Sequence, residues 1–126
     1  MTLTPEQIDL LKRLQPLFRE KMGEWQEGDE YFDTHNLDHG WVEAAMPEDF
    51  NANQFPNAIR IPKVIDWQNP ERGLRGMLNT RTVIEIRNSK TIVKQNWGYS
   101  SIWDSRLDAP DPFTALLKAL AEQEGV

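Results

Sequence analysis

The sequence has no cysteine, which excludes a disulfide scaffold and any site in which a thiolate binds a metal or attacks a substrate. It has no run of about twenty apolar residues, so no membrane-spanning helix is predicted. The glycine-rich motifs that cradle phosphates, G-x-G-x-x-G and the P-loop, are absent as well. The sequence therefore predicts neither a cofactor nor contact with a membrane.

The chain nevertheless contains enough apolar side chains to form a core. Of its 126 residues, 39% are hydrophobic and 10% are aromatic, a composition typical of a folded domain. We therefore predict a single domain over residues 1–126. Residues 1–6 lack the basic start and apolar run of a signal peptide, so we expect a cytoplasmic location.

The net charge of −6 is unevenly distributed along the chain. Residues 1–55 contain 4 basic and 12 acidic side chains, whereas residues 56–107 contain 9 basic and 4 acidic ones. Residues 108–126 are acidic again, with 1 basic and 4 acidic side chains. An acidic protein is a poor non-specific ligand for nucleic acid, but the basic middle segment could form a local patch.

Both ends of the chain have the pattern of a helix. Thr4, Pro5 and Gln7 form the sequence signature of a capping box with proline at the first helical position. An apolar face follows, and Pro16 predicts a kink or break within it. Near the other end, Asp111 predicts the start of a second helix and Gly125 its end.

The segments between these helices favour strands. The best pair is 81–87 with 91–97, because β-branched residues flank a short polar turn. Shorter strands are predicted to begin at 31–32 and to lie at 41–46, 57–62 and 99–103, and a short helix is predicted from Asn69 to Leu78. These elements predict an α+β fold in which an antiparallel sheet of about four or five strands packs against the N- and C-terminal helices.

The two histidines, His35 and His39, lie four residues apart in an acidic stretch. No glutamate stands between them and the segment is not helical in pattern, so it differs from the H-E-x-x-H zinc motif. We interpret residues 34–40 as a solvated hairpin loop and predict no metal site. Any histidine-based acid–base catalysis would have to use this loop, but no catalytic residue is assigned.

The basic middle segment interleaves arginine and lysine with tryptophan, a combination that suits phosphate contact and base stacking. The alternative interpretation assigns the tryptophans to the core between sheet and helices. If the segment is instead a protein contact, an exposed aromatic patch is expected around Trp67 and Leu74. The candidate binding residues are Arg60, Lys63, Trp67, Arg72, Leu74 and Arg75.

Three stretches of the chain, residues 23–29, 61–78 and 114–121, resemble small uncharacterised proteins encoded by bacterial prophages and phages. The resemblance implies a cytoplasmic accessory protein of phage origin. It implies no activity, and no catalytic residue follows from it.

Together these observations favour a non-enzymatic interaction module that binds a protein partner or a second copy of itself. The first alternative is a nucleic-acid-binding protein that uses the basic, tryptophan-containing segment 60–103. The second alternative is an enzyme that uses the loop containing His35 and His39.

Overall fold

The fold is taken from a computed structural model that describes residues 3–79, 81–88, 90–96, 104–109 and 111–126. The chain divides into two compact units, Met1–Lys63 and Val64–Val126. Each unit combines helices with one three-stranded antiparallel sheet. Within the described residues, no helix combines the length and the apolar character needed to cross a membrane.

The first unit begins with helix α1, Pro5–Met22. The predicted capping box is confirmed, because the Thr4 side chain accepts a hydrogen bond from the backbone of Gln7 and the Gln7 side chain accepts one from the backbone of Thr4. Of the kink or break predicted at Pro16, the break does not occur, since the helix continues through this residue. Buried leucines lie on both sides of Pro16, and their packing outweighs the loss of one backbone hydrogen bond.

A hairpin follows, formed by β1 (Glu30–Asp33) and β2 (Asp38–Trp41). The returning strand therefore begins three residues earlier than the predicted 41–46, and His39 lies in the strand instead of the loop. The turn is short because the Asp33 carboxylate accepts backbone hydrogen bonds from His35 and Asn36, at 2.9 and 3.1 Å. These hydrogen bonds hold the pKa of the Asp33 carboxyl below its ordinary value, and the bond from Asn36 makes the largest contribution.

The first unit ends with the short helix α2 (Pro47–Asn51) and strand β3 (Ala58–Ile61), which pairs with the free side of β1. The sheet order is thus β2-β1-β3. The strand predicted over residues 57–62 is confirmed. Helix α1 packs against β3.

The second unit begins with a 3₁₀ turn (Pro70–Arg72) and the one-turn helix α3 (Leu74–Met77). The helix predicted over 69–78 is therefore interrupted at Gly73. Strands β4 (Arg81–Arg87), β5 (Lys90–Asn96) and β6 (Asp104–Ala109) form the sheet in that order. The predicted strand at 99–103 lies outside the described residues. Helix α4 (Pro112–Glu124) starts at the predicted cap Asp111, ends at Gly125, and packs on β5 and β6.

The predicted α+β fold with N- and C-terminal helices is confirmed, but the strands form two sheets instead of one. The first sheet ends at β3 because the backbone groups on the outer edge of this strand already have a partner. The side-chain amide of Gln15 donates to the carbonyl of Arg60 and accepts from its N–H, at 3.0 and 2.9 Å. Pro62, the next residue after the strand, has no N–H to donate. A further strand therefore finds this edge already occupied.

Candidate functional site

The six predicted binding residues are divided between the two units. Arg60 and Lys63 belong to the first unit, and Trp67, Arg72, Leu74 and Arg75 to the second. The four residues of the second unit lie on one continuous stretch, residues 64–78, which we call the Trp67 segment.

Arg60 is only 3% exposed, and its guanidinium is bound inside the first unit. Nη1 donates to the carbonyl oxygens of Gly23 and Phe18 at 2.8 and 3.4 Å, so the side chain satisfies the carboxyl end of α1. Nη2 lies 4.0 Å from the Asp29 carboxylate, and the guanidinium carbon lies 4.5 Å from the centre of the Trp25 ring. Arg60 therefore stabilises the fold, whereas Lys63 is exposed.

Within the Trp67 segment, the two apolar candidates have opposite environments. Trp67 is 85% exposed, the highest value among the large apolar side chains described, whereas Leu74 is fully buried. The exposed aromatic surface expected at this stretch is thus supplied by Trp67 alone, and Leu74 anchors the segment. Arg72 and Arg75 are half-buried between these extremes.

The loop that carries Trp67 is fixed by short-range contacts on both sides of the indole. The Asp66 carboxylate accepts backbone hydrogen bonds from Gln68 and Asn69, each at 3.0 Å. On the other side, a Cβ placed on Gly73 would lie 2.7 Å from the backbone nitrogen of Asp66. The backbone on either side of Trp67 is therefore held in one conformation while the ring remains in solvent.

The base of the segment is held equally closely. A Cβ on Gly76 would lie 1.8 Å from the carbonyl oxygen of Pro70, so α3 and the 3₁₀ turn are in direct backbone contact. The N–H of Arg75 donates to the carbonyl of Val64 at 3.1 Å. The amide of Gln123, in α4, donates to the carbonyl of Met77 at 3.1 Å.

Arg75 adds a polar group with unused hydrogen-bonding capacity. Its Nε atom is buried and makes no hydrogen bond within the described part of the chain. Such a donor is costly to leave unsatisfied.

A second concave site, which the sequence patterns did not indicate, lies in the first unit. It is a cavity of about 480 Å³, within the size range of small-molecule pockets. Phe18, Trp25 and Phe50 are among the residues that line it, although Phe18 and Phe50 are almost completely buried. Trp25 and Phe50 lie with ring centres 4.7 Å apart. The signal that could have indicated this site is the excess of aromatic side chains in the polar, patternless stretches 24–33 and 47–56.

The two histidines lie in different surroundings. His35 is exposed in the turn, and His39 lies in β2 with its ring against Phe32 at 5.2 Å. The Nδ1 atom of His39 is 3.9 Å from the Glu30 carboxylate, and its Nε2 atom is buried without a hydrogen-bond partner among the described residues. In the part of the chain that the structure describes, no group of three or more histidine and acidic side chains could hold a metal ion.

The environment of Glu30 makes the stability of the protein depend on pH. Burial raises the pKa of its carboxyl above the ordinary 4.5, and His39 offsets part of the rise. Because the folded state binds this proton more tightly, its contribution to stability is present below pH 4.5 and is lost as the pH rises through the folded pKa. Glu30→Gln is therefore expected to be more stable at neutral pH by a few tenths of a kcal/mol after solvent screening. Its stability should also change less than that of the wild type in urea denaturation between pH 4.5 and neutrality.

Comparison with known proteins adds no relative to this description. No family model matches the chain, and no curated protein or solved structure matches it. The function therefore has to be inferred from the two sites themselves.

Proposed function

We propose that this protein is a non-enzymatic interaction module that binds a protein partner through the Trp67 segment. The observation that carries the proposal is the 85% exposure of Trp67 on a backbone fixed on both sides. A tryptophan side chain can bury on the order of 200 Å² in a contact. Leaving it in water is unfavourable, so a partner that covers it gains binding free energy.

The rigidity of the segment supports binding as well. Ordering a mobile loop costs free energy at association, and a loop already held in one conformation avoids most of that cost. Arg72 and Arg75 flank the same stretch, and tryptophan and arginine are the residue types enriched in interface hot spots. Their charge favours a partner surface that offers carboxylates or carbonyl oxygens.

The alternatives have weaker support. Nucleic-acid binding through segment 60–103 loses Arg60 as a phosphate contact, because its guanidinium is engaged inside the first unit. An enzyme based on His35 and His39 lacks a shared cleft for the two rings, since His35 is exposed and His39 packs on Phe32. A phage-derived accessory role in the cytoplasm is part of the proposal and derives from the resemblance of residues 23–29, 61–78 and 114–121.

The substitution Trp67→Ala tests the proposal. We expect it to weaken binding to the partner by about 2 kcal/mol, or roughly thirtyfold in Kd. The free energy of unfolding should change by less than about 0.5 kcal/mol, because the side chain is exposed. Partners are captured from a lysate of the native host and identified by mass spectrometry, and the Kd of the purified pair is then measured by biolayer interferometry.

Trp41→Ala is the matched control, because Trp41 is also an exposed tryptophan, at 60%, but lies in β2 of the first unit. It should leave the Kd unchanged. Equal binding by wild type and Trp67→Ala would refute the proposed contact surface. Binding of single-stranded or duplex DNA that weakens steeply with salt would favour the nucleic-acid alternative instead.

A further inference from the structure

Strand β4 is an outer strand of the second sheet, and one of its two edges pairs with no other strand among the described residues. The chain passes from β4 to β5 through a two-residue turn, so Arg87 and Lys90 form the hydrogen-bonded pair that closes the hairpin. Hydrogen-bonded pairs alternate along an antiparallel ladder. The backbone groups of Thr82, Ile84 and Ile86 therefore point away from β5, and those of Ile84 and Ile86 make no other hydrogen bond within the described part of the chain.

This outer edge of β4 also carries exposed apolar side chains. Val83 is 43% exposed and Ile86 is 69% exposed. An exposed strand edge with apolar side chains is a template for pairing with another strand, whereas charged side chains on the edge oppose such pairing. Strand β4 carries Arg81, Glu85 and Arg87 as well. Which strand can pair here therefore depends on the charges that it places opposite these three side chains.

A second copy of β4 can pair with the first in a small number of registers. In a symmetric antiparallel pair of identical strands, the two-fold axis passes through one residue, which then lies opposite itself. Three such registers pair five or more residues of each strand. The register centred on Ile84 places Arg81 opposite Arg87 of the second copy, and the register centred on Glu85 places this carboxylate opposite itself. Both are disfavoured, because like charges directly opposite each other are destabilising.

The third register, centred on Val83, brings opposite charges together. Arg81 of each copy lies opposite Glu85 of the other, so the dimer contains two pairs of opposite charge. At the centre, the partly exposed Val83 side chains of the two copies cover each other. Thr82 and Ile84, whose backbone groups point outward, also lie opposite each other. Each of these two pairs exchanges two backbone hydrogen bonds.

We propose that the protein forms a symmetric homodimer in which the β4 strands of two copies pair antiparallel, centred on Val83. The two three-stranded sheets then form one continuous six-stranded sheet. An edge contact of this length buries less than the roughly 1,200 Å² of a standard interface, so the dimer is expected to be weak. A Kd of roughly 10–100 μM is expected. The contact needs no residue of the Trp67 segment.

The absence of cysteine from the chain allows a direct test of the register. Val83→Cys places two thiols opposite each other in a non-hydrogen-bonded pair, where Cβ atoms lie about 4.5–5.5 Å apart, close to the spacing of a disulfide. With a mild oxidant, most of this variant should become a cross-linked dimer on a non-reducing gel. Ile86→Cys is the control, because Ile86 is more exposed but lies about six residues, or about 20 Å, from its copy. It should stay uncross-linked.

The charge pairs are tested by sedimentation-velocity ultracentrifugation of the full chain, which measures the Kd of the dimer. Arg81→Glu places two carboxylates opposite each other in both pairs and should raise the Kd at least tenfold. Arg81→Lys keeps the charge and should change the Kd less than threefold. Circular dichroism spectra equal to that of the wild type confirm that both variants are folded.

Two results would overturn the proposal. The first is a wild-type chain that remains monomeric at about 500 μM, well above the expected Kd. The second is cross-linking of Ile86→Cys as readily as Val83→Cys, because another surface or register would then hold the two copies together. Trp67→Ala should leave the Kd of the dimer unchanged, so failure here is distinguishable from failure of the proposed partner surface.

Discussion

Arg60→Met is expected to lower the free energy of unfolding by about 3 kcal/mol, although only one long side chain replaces another. Methionine has similar length and keeps the apolar contact with the Trp25 ring. It cannot donate hydrogen bonds, so the carbonyl oxygens of Gly23 and Phe18 lose their side-chain donor. Hydrogen bonds that involve a charged group contribute about 1.5–3 kcal/mol.

The Asp29 carboxylate adds to this loss. Its side chain is 10% exposed and lies 4.0 Å from the guanidinium of Arg60. When the cation is removed, the charge of Asp29 remains in a largely buried position with less compensation. The cation–π contact with Trp25, at 4.5 Å, is lost as well.

Lys63→Met is the matched control for Arg60→Met, because it also removes a cation near the end of β3 but from an exposed position. It should change the free energy of unfolding by less than about 0.5 kcal/mol. Both variants are compared with the wild type by urea denaturation followed by circular dichroism. A loss of similar size for the two would show that net charge, and not the internal contacts of Arg60, determines the effect.

Arg60 also shows where sequence patterns stop being informative. The alternation in residues 57–62 correctly predicted a strand with Ile59 and Ile61 on one face. It could not reveal that Arg60 on the other face is covered too, because the Trp25 ring that lies against it comes from a segment without a regular period. A basic residue on a short strand is more often exposed, and here long-range packing reverses that expectation.

The helix and turn predictions were more accurate because they depend on neighbouring residues. The capping box at Thr4, the cap at Asp111 and the stop at Gly125 each involve contacts within four residues. Pro16 was the exception: its local effect is unfavourable, but the buried residues on both sides keep α1 continuous. Local rules therefore predicted the ends of these helices, and tertiary packing decided what happens inside α1.

The same contrast applies to the two candidate sites. The sequence predicted an exposed aromatic patch around Trp67 and Leu74, and the structure leaves the indole exposed but buries Leu74. Which of the two apolar residues faces solvent depends on backbone contacts such as that of Gly73 with Asp66. The cavity of the first unit was not predicted, because its lining residues come from two segments, 15–25 and 50–60, that are distant in sequence.

Gly76→Ala is expected to lower the free energy of unfolding by about 3 kcal/mol, by overpacking a contact between two backbones. The added Cβ would lie 1.8 Å from the carbonyl oxygen of Pro70 and 2.7 Å from its carbonyl carbon. Neither atom belongs to a flexible side chain, so relief requires the 3₁₀ turn to move away from α3. Gly76 is exposed, so burial alone does not predict this sensitivity.

Gly28→Ala is the control that measures the cost of replacing a glycine where the added Cβ meets no other atom. Gly28 has φ of +89° and no atom within 4 Å of an added Cβ, so its replacement should cost only about 1 kcal/mol of backbone strain. Urea denaturation of both variants, followed by circular dichroism, gives the comparison. If Gly76→Ala costs no more than Gly28→Ala, the 3₁₀ turn moves easily. The Trp67 segment would then be flexible. Its rigidity could not contribute to the affinity for a partner, which would have to come from burial of the indole.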